Sequence, residues 1–398
     1  MNKKILIIPS WYPNIKNFTV GSFFQEQALL LSRNGYDVKI LFGNIETKST
    51  MNYLKIKLKK IIFPKKTMLQ SDYLIQEPQA LSFSILKFSD WWTEKEENDV
   101  VCSSYANAFF EIVESGWKPD LIHAQCTVDA GIVANHLSSL YKIPFVIIEH
   151  QVFLLNNYSK FKQTLIRNSL QSAKKVGAVS NHQKRCILMN SIKCNPYIIW
   201  NFVDEDKFKI IQVKSVSKFR ILTISYPSFI KDMDTFFKSI ERFCQICNDD
   251  IEVIIIGNNS FDNLGNANTI VFESLAKKHN IYSKCTLKPY MRRNEISEIL
   301  NTADVFISTS IAETFGVAVR EAMLSGIPVI ATKSGGVEDS INKETGILVE
   351  IGDYQAIADA LIKIKNGELK FDSENIRNFS ISQCGKSVFL KKMINFYS

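Results

Sequence analysis

Between Ser310 and Ile341 the chain reads SIAETFGVAVREAMLSGIPVIATKSGGVEDSI, and two acids in it, Glu313 and Glu321, have seven residues between them. The run Asp304 to Ser308 ahead of them suits a strand. From Val317 the residue types suit a helix, which Gly326, Ile327 and Pro328 bring to an end. At about 100° per residue, that helix puts Val317, Glu321 and Leu324 on one face, while Glu313 falls in the turn before it. Thr314, Phe315, Gly316 and Val317 then offer free backbone N–H groups. Together with the helix dipole these make a cradle for an anion or a hydroxyl. Gly316 has no Cβ to hold a ligand off the backbone. Two carboxylates so placed can accept hydrogen bonds from hydroxyls at the two ends of one polyhydroxyl ligand. As a bare pair of acids they would also fit a solvated helix face.

Other groups of this kind carry less. Asp204 with Asp206, and Asp232 with Asp234, imitate an acid pair that holds a divalent ion. Asp232 stands where a helix needs a cap and Asp204 lies between two domains, so no metal is expected. Cys244 and Cys247 form C-x-x-C inside a helical pattern, with no second pair and no nearby His, which favours packing. The eight cysteines are scattered, the usage of a reducing compartment. His123 and His150 both fall at the carboxyl ends of expected strands, where parallel sheets bind ligands. His123 is read as structural.

The elements that must position these residues alternate. Strands are expected over residues 3–9, 36–42, 120–124, 144–149 and 176–180, with helices at 22–34, 127–140 and 160–173 between them. After a polar linker at 209–218 the rhythm restarts: strands at 219–225, 251–256, 284–287, 304–308 and 345–349, helices at 232–247, 273–279, from 294, and at 354–365. A last helix is expected over 382–396. Such alternation predicts an α/β protein with a parallel sheet in each half. With 398 residues, 46% hydrophobic and 22% charged, the chain can bury two cores. A net charge of +8 points to an anionic surface or substrate, and the basic residues form no nucleic-acid motif. The first residues do not make a signal peptide and no run of 18 apolar residues occurs, so a cytoplasmic protein is expected. Residues 45–118 read as an insert. Within it Tyr53 to Met68 mixes Lys55, Lys57, Lys59, Lys60, Lys65 and Lys66 with apolar residues, as either a solvated face or a peripheral contact with an anionic membrane would. Trp91, Trp92, Phe109 and Phe110 are expected to pack beneath it.

The string ETFGxxxxEAMxxGxPVIAT followed by SGG resembles the Glu-x7-Glu signature of retaining, nucleotide-sugar-dependent glycosyltransferases of family 4, the group 1 glycosyl transferases. The resemblance implies the GT-B architecture: two Rossmann-like parallel-sheet domains facing a cleft. The expected division is 1–205 on the acceptor side, 206–380 for the nucleotide sugar, and a helix at 381–398 that returns to the first domain. It also implies roles. Glu313 and the N–H groups of residues 314–317 hold the donor sugar, and Glu321 binds the ribose hydroxyls. F-x-V-G-S-F-F-x-E-Q with G-Y-D-V after it resembles the family's first loop, whose glycine, here Gly21, approaches the donor diphosphate. Alone, Gly21 is a weak phosphate signal, since G-x-G-x-x-G is absent. V-I-I-E-H resembles the family's T-E-H, whose His, here His150, faces the donor sugar. Residues 197–208 resemble the hinge P-N-G-V-D-x-x-x-F, with Phe202 in the place of Gly. Pro289-Tyr290-Met291 resembles the G-Y-V turn whose backbone pairs with the nucleobase, and residues 334–339, after the strand at 328–331, stand where the family's chain closes over the diphosphate side.

One departure matters. The diphosphate is met in the family by the Arg and Lys of G-R-x-x-x-x-K. Here Lys231 matches the Lys, and Tyr226 stands at the Arg. Gly21, the backbone near Glu313, and Lys288 or Arg292 are left to share the charge with Lys231. The expected activity is metal-independent and needs no cofactor. A hexose moves from a nucleotide-diphosphate sugar, a UDP-sugar first, to a saccharide or lipid-linked saccharide acceptor with retained configuration, in surface polysaccharide synthesis at the inner membrane face. Tyr226 and Phe202 keep open a non-catalytic sugar-nucleotide-binding or partner subunit. An epimerase of the same architecture would have to work with Glu149, His150 and Glu313 alone, in a setting that argues against it.

Overall fold

The computed structural model describes residues 2–13, 21–48, 54, 69–71, 77–88, 92–211, 218–247, 250–257, 260–261, 267–268 and 270–398. The chain divides into two compact units. One holds Met1–Val179, Lys184–Ile199 and Met393–Ser398, the other Ser180–Gln183 and Trp200–Lys392. The change of unit falls at Ile199 rather than at the hinge's end, and a four-residue piece of the first half goes with the second unit.

In the first unit, β1 (Lys4–Pro9) is a run of aliphatic residues, five of them buried, because strands of an inner parallel sheet are covered on both faces. Behind it come α1 (Ser22–Arg33), β2 (Asp37–Lys48), β3 (Gln70–Ser71), β4 (Gln79–Phe88), α2 (Glu94–Glu114), β5 (Leu121–Gln125), α3 (Ile132–Tyr141), β6 (Phe145–Glu149), α4 (Lys160–Ser172), β7 (Lys175–Ala178) and β8 (Tyr197–Ile198). The sheet order is β3-β4-β2-β1-β5-β6-β7-β8, parallel except for the β3–β4 pair. The chain leaves β1 toward one edge and returns to β5 on its other side. The loops after β1 and β5 therefore diverge, and this leaves a crevice at the carboxyl ends of the two strands.

The second unit repeats the plan with β9 (Phe219–Ile224), α5 (Met233–Ile246), β10 (Ile251–Ile256), α6 (Ile270–Lys278), β11 (Cys285–Lys288), α7 (Arg293–Leu300), β12 (Val305–Ser308), α8 (Val317–Leu324), β13 (Val329–Thr332), β14 (Gly346–Val349), α9 (Tyr354–Lys365), α10 (Ser373–Cys384) and α11 (Lys386–Tyr397). Its sheet is parallel throughout, in the order β11-β10-β9-β12-β13-β14. Here the reversal lies between β9 and β12. Phe236, Phe237, Ile240 and Phe243 of α5 fill the core over this sheet.

The expectations need four corrections. The described part of 45–118 is largely framework: β4 pairs along its length with β2, and α2 is a full helix closed at its start by a Thr93–Glu96 capping box. Of the aromatics assigned beneath the insert, Phe109 is buried and Phe110 is 52% exposed. Tyr53 to Met68, apart from Leu54, lies outside the described residues, as do Trp91 and 212–217 of the linker. The helix expected from residue 127 begins only at Ile132, after a wide turn in which Cys126 and Asp129 take positive φ of 81° and 63°. Helix α10 was not anticipated at all, and the final helix starts later, at Lys386.

Candidate active site

Lys231 ends a short turn, Phe229–Lys231, that follows β9. Two bonds pin this turn to the end of β12: the Ile311 N–H donates to the Ile230 carbonyl (2.7 Å) and the Thr309 hydroxyl donates to that of Lys231 (3.0 Å). The lysine is thus held at the point where the strand order reverses, and there its Nζ donates to Glu313 Oε1. The Ser310 hydroxyl donates to the same oxygen at 2.9 Å. Burial pulls the Lys231 pKa down, but the charge and hydrogen bond of Glu313 outweigh it and the net shift is upward. The Tyr226 ring covers the ammonium from 5.3 Å, a cation–π contact made by the residue that stands where an Arg was expected. Sequence reading gave Lys231 and Glu313 to different parts of a ligand. The fold joins them.

Glu313 is also fixed through its backbone. Its N–H donates to the Ser334 carbonyl (2.8 Å) and its own carbonyl accepts from Gly336 (2.7 Å), so residues 334–336 lie alongside the Glu313 turn. Only glycine fits at Gly336, where a Cβ would stand 2.0 Å from the Thr314 carbonyl oxygen. Thr314 and Phe315 lead into Gly316, the N-cap of α8 at φ +79°, and Val317 opens the helix. A Cβ on Gly316 would meet Val337 at 2.5 Å. Its bareness therefore makes room for Val337.

Glu321 is buried on α8. Its Oε1 lies 2.5 Å from Nη2 of Arg293, the first residue of α7, whose guanidinium also sits over the Phe208 ring at 5.4 Å. Arg292 caps its own helix, its N–H donating to Glu295 at 2.8 Å. Nothing local in the sequence marked Arg293. The one hint was a buried acid that needed a partner from another element. Lys288 ends β11, and its carbonyl accepts the Gly257 N–H at 3.0 Å. Tyr290 follows it, half-buried like Met291, and burial pushes its hydroxyl up to about 12.

Gly21 and His150 belong to the first unit. Gly21 precedes α1 at φ +73°, and a Cβ there would meet the Trp11 carbonyl at 2.9 Å, so the space beside it is filled by the chain itself. His150 is buried at the end of β6, edge-on to Phe24 at 4.9 Å, with its Nε2 2.5 Å from Gln125 Oε1. Gln125 in turn donates to Gln27 at 3.3 Å, a buried polar relay that the sequence did not show. The Glu149 carboxylate accepts three backbone N–H groups, from Thr127, His150 and Gln151 at 2.9, 2.9 and 2.8 Å. Burial raises its pKa against those bonds. So held, it is a poor proton-transfer group for an epimerase. His123 is structural: its Nδ1 is 2.7 Å from the Tyr397 hydroxyl, and burial takes its pKa down to about 3.

The acid pairs have other employment. Asp204 and Asp206 pair with Lys386, Asp232 caps α5 through the Thr235 N–H (3.3 Å), and Asp234 meets Lys238 and Lys278 at 2.7 and 2.9 Å. Cys244 lies in α5, while Cys247 is just past its end. Both pack against the second core, and none of the eight cysteines is in a disulfide.

This geometry can be set beside known proteins. The model of the family "Glycosyl transferases group 1" matches residues 204–379, and that of "Glycosyltransferase Family 4" matches residues 99–207. The chain belongs to the group 1 glycosyl transferases. This glycosyltransferase is 30% identical over 154 residues to sucrose-phosphate synthase 4 of Arabidopsis thaliana, a match covering 36% of this chain and 15% of that one. It therefore spans about a seventh of the length of the curated relatives it matches. Among solved structures, sucrose-phosphate synthase from Thermosynechococcus elongatus superposes with a TM-score of 0.77 at 15% identity, covering 100% of this chain and 98% of that one. Anabaena HepE in complex with UDP and glucose gives 0.72 at 16% identity, covering 100% and 99%. The fold of the glycosyltransferase is the GT-B fold of these proteins.

Proposed function

We propose that the chain transfers a hexose from a UDP-sugar to a hydroxyl of a saccharide acceptor, with the anomeric configuration retained. The observation that carries this is the Lys231–Glu313 pair at the strand-order reversal, beside the start of α8. Such a pair is poised for exchange. An arriving diphosphate takes the ammonium, and the carboxylate so released accepts hydrogen bonds from the hexose hydroxyls. The diphosphate brings more negative charge than Lys231 alone offsets, so further positive charge or N–H dipoles are needed in a part-buried place. Glu321, turned by Arg293, accepts from the ribose hydroxyls. The bond from the sugar's anomeric carbon to the diphosphate oxygen breaks as that carbon gains the acceptor oxygen on the same face. The acceptor's proton passes to the departing phosphate oxygen. Lys231 and the N–H groups of 314–317 meet the charge that develops there, and His150 orients the hexose. The UDP and glucose named with HepE support this choice of donor. Glu313→Ala and Lys231→Ala should each cut turnover at least about a hundredfold, roughly 2.7 kcal/mol. Unchanged rates in both variants would overturn the assignment.

The acceptor we propose is a lipid-linked saccharide, extended at an anionic membrane face during surface polysaccharide synthesis. Support comes from sequence: the net charge of +8 and the mixture of lysines and apolar residues from Tyr53 to Met68. Sedimentation with vesicles tests it, binding being expected with anionic lipid only and fading with salt. Among the described residues no helix is long and apolar enough to cross a membrane. A second reading, a sugar-nucleotide binder without transfer, is favoured by Tyr226, which leaves Lys231 without the expected Arg. Calorimetric binding of a donor with neither hydrolysis nor transfer would establish it.

A further inference from the structure

Arg320 lies on α8, four residues after Gly316, and is fully buried. Its guanidinium stacks on the Phe315 ring at 4.8 Å, and Nη1 donates to a neutral amide oxygen, Oε1 of Gln383. Nε and Nη2 are buried with no hydrogen-bond partner among the described residues. No carboxylate among those residues forms an ion pair with it. Asp339 is near enough to be felt, yet its carboxylate accepts from the Asn181 N–H (2.8 Å), the Asn181 amide (3.1 Å) and the Trp200 indole (3.5 Å). Burial pulls the guanidinium down to about 10, against the opposing influence of Cys384 and Asp339.

Three unfavourable terms meet at this position. A charge is taken out of water without a counter-ion. Two of its donors go unmet. A cation stands in the first turn of a helix, against the dipole. A leucine or methionine here would remove all three, which the Phe315 ring, the Gln383 amide and the nearby Asp339 offset only in part. An anion at the start of α8 would offset the first and the third. The guanidinium lies over the ring of Phe315, a residue of the turn that leads into α8. In so dry a place the field is weakly screened and reaches past the ring.

We propose that Arg320 supplies the second positive charge of the donor-diphosphate site, acting through Phe315 from behind the N–H cradle, in compensation for the Arg that Tyr226 replaces. The proposal rests on the reading that a nucleoside diphosphate sugar binds at that cradle. Arg320 touches nothing that reacts. It is a positioning residue, and it selects ligands by their phosphate charge rather than by base or sugar.

The test compares UDP with uridine by calorimetry on the full chain. Arg320→Met should fold with no loss of melting temperature. It should weaken UDP by about tenfold or more while leaving uridine within about twofold. The loss should persist in about 0.5 M salt, since a buried charge is little screened. Arg320→Lys, which keeps the charge, should restore most of the UDP affinity. Should the Met variant not fold, Arg320→Gln compared with Arg320→Lys gives the same reading, Lys alone holding UDP near the wild-type value. A folded variant that binds UDP as well as wild type overturns the proposal, as does an equal loss for UDP and uridine, which marks a merely structural role. A wild-type protein with no affinity for UDP would instead remove the functional reading, and this proposal with it.

Discussion

Lys231 and Glu313 show how far single residues can be read. Each was visible from its own short motif, but their pairing was not, because it joins positions 82 apart through the register of β9 and β12. Arg293 was invisible for the same reason, and so was the packing of Val337 against Gly316. His123 offers a prediction at this scale. It is neutral in the folded protein, with a pKa of about 3, and protonates near 6.5 once unfolded. The unfolded chain therefore binds the extra proton over this window. The stability His123 contributes is complete above about pH 6.5 and is lost as pH falls toward 3, at up to about 1.4 kcal/mol per pH unit. Denaturant titrations at pH 7 and pH 5 should show this slope, and His123→Gln should flatten it. An unchanged slope in the variant would assign the acid sensitivity to other groups.

Elements were legible where burial is two-sided. The aliphatic runs of β1, β6, β10 and β12 announce themselves, since an inner parallel strand has no polar face. Helix α10 did not, because only four of its twelve residues are buried and its sequence, SENIRNFSISQC, is mostly polar. Strand β4 was hidden by its place beyond a basic stretch that drew the eye to an insert. The turn at 334–336 is the element on which the site leans most. Gly336→Ala would drive a Cβ into the Thr314 carbonyl. The expected result is a loss of about 2 kcal/mol or more in thermal unfolding, with donor binding falling further than stability explains. Wild-type melting and wild-type affinity in that variant would show that this contact yields easily.

At the scale of the molecule, the two sheets each reverse their strand order once, at β1/β5 and at β9/β12, and the residues with candidate chemistry gather at those carboxyl ends. This much follows from alternation of strand and helix alone, which is why the architecture could be read before any contact was known. Donor identity could not, since alternation of strand and helix says nothing of the backbone that would meet a base. A melting-temperature screen should place UDP-sugars above GDP- and dTDP-sugars, a ligand at a hundred times its Kd adding about 2.7 kcal/mol. A larger rise with either of the others would reassign the base. There remains the tail. Met393–Ser398 lies with the first unit, where Tyr397 and Phe396 are buried, Tyr397 bonds His123, and Lys174 and Lys175 each donate to backbone carbonyls of Ser398 and Asn395 at 2.6 Å. During synthesis on a ribosome, then, the half made first waits unfinished until nearly two hundred later residues have been translated. Its nascent form must stay soluble with that aromatic slot vacant, and a chaperone has its longest opportunity there.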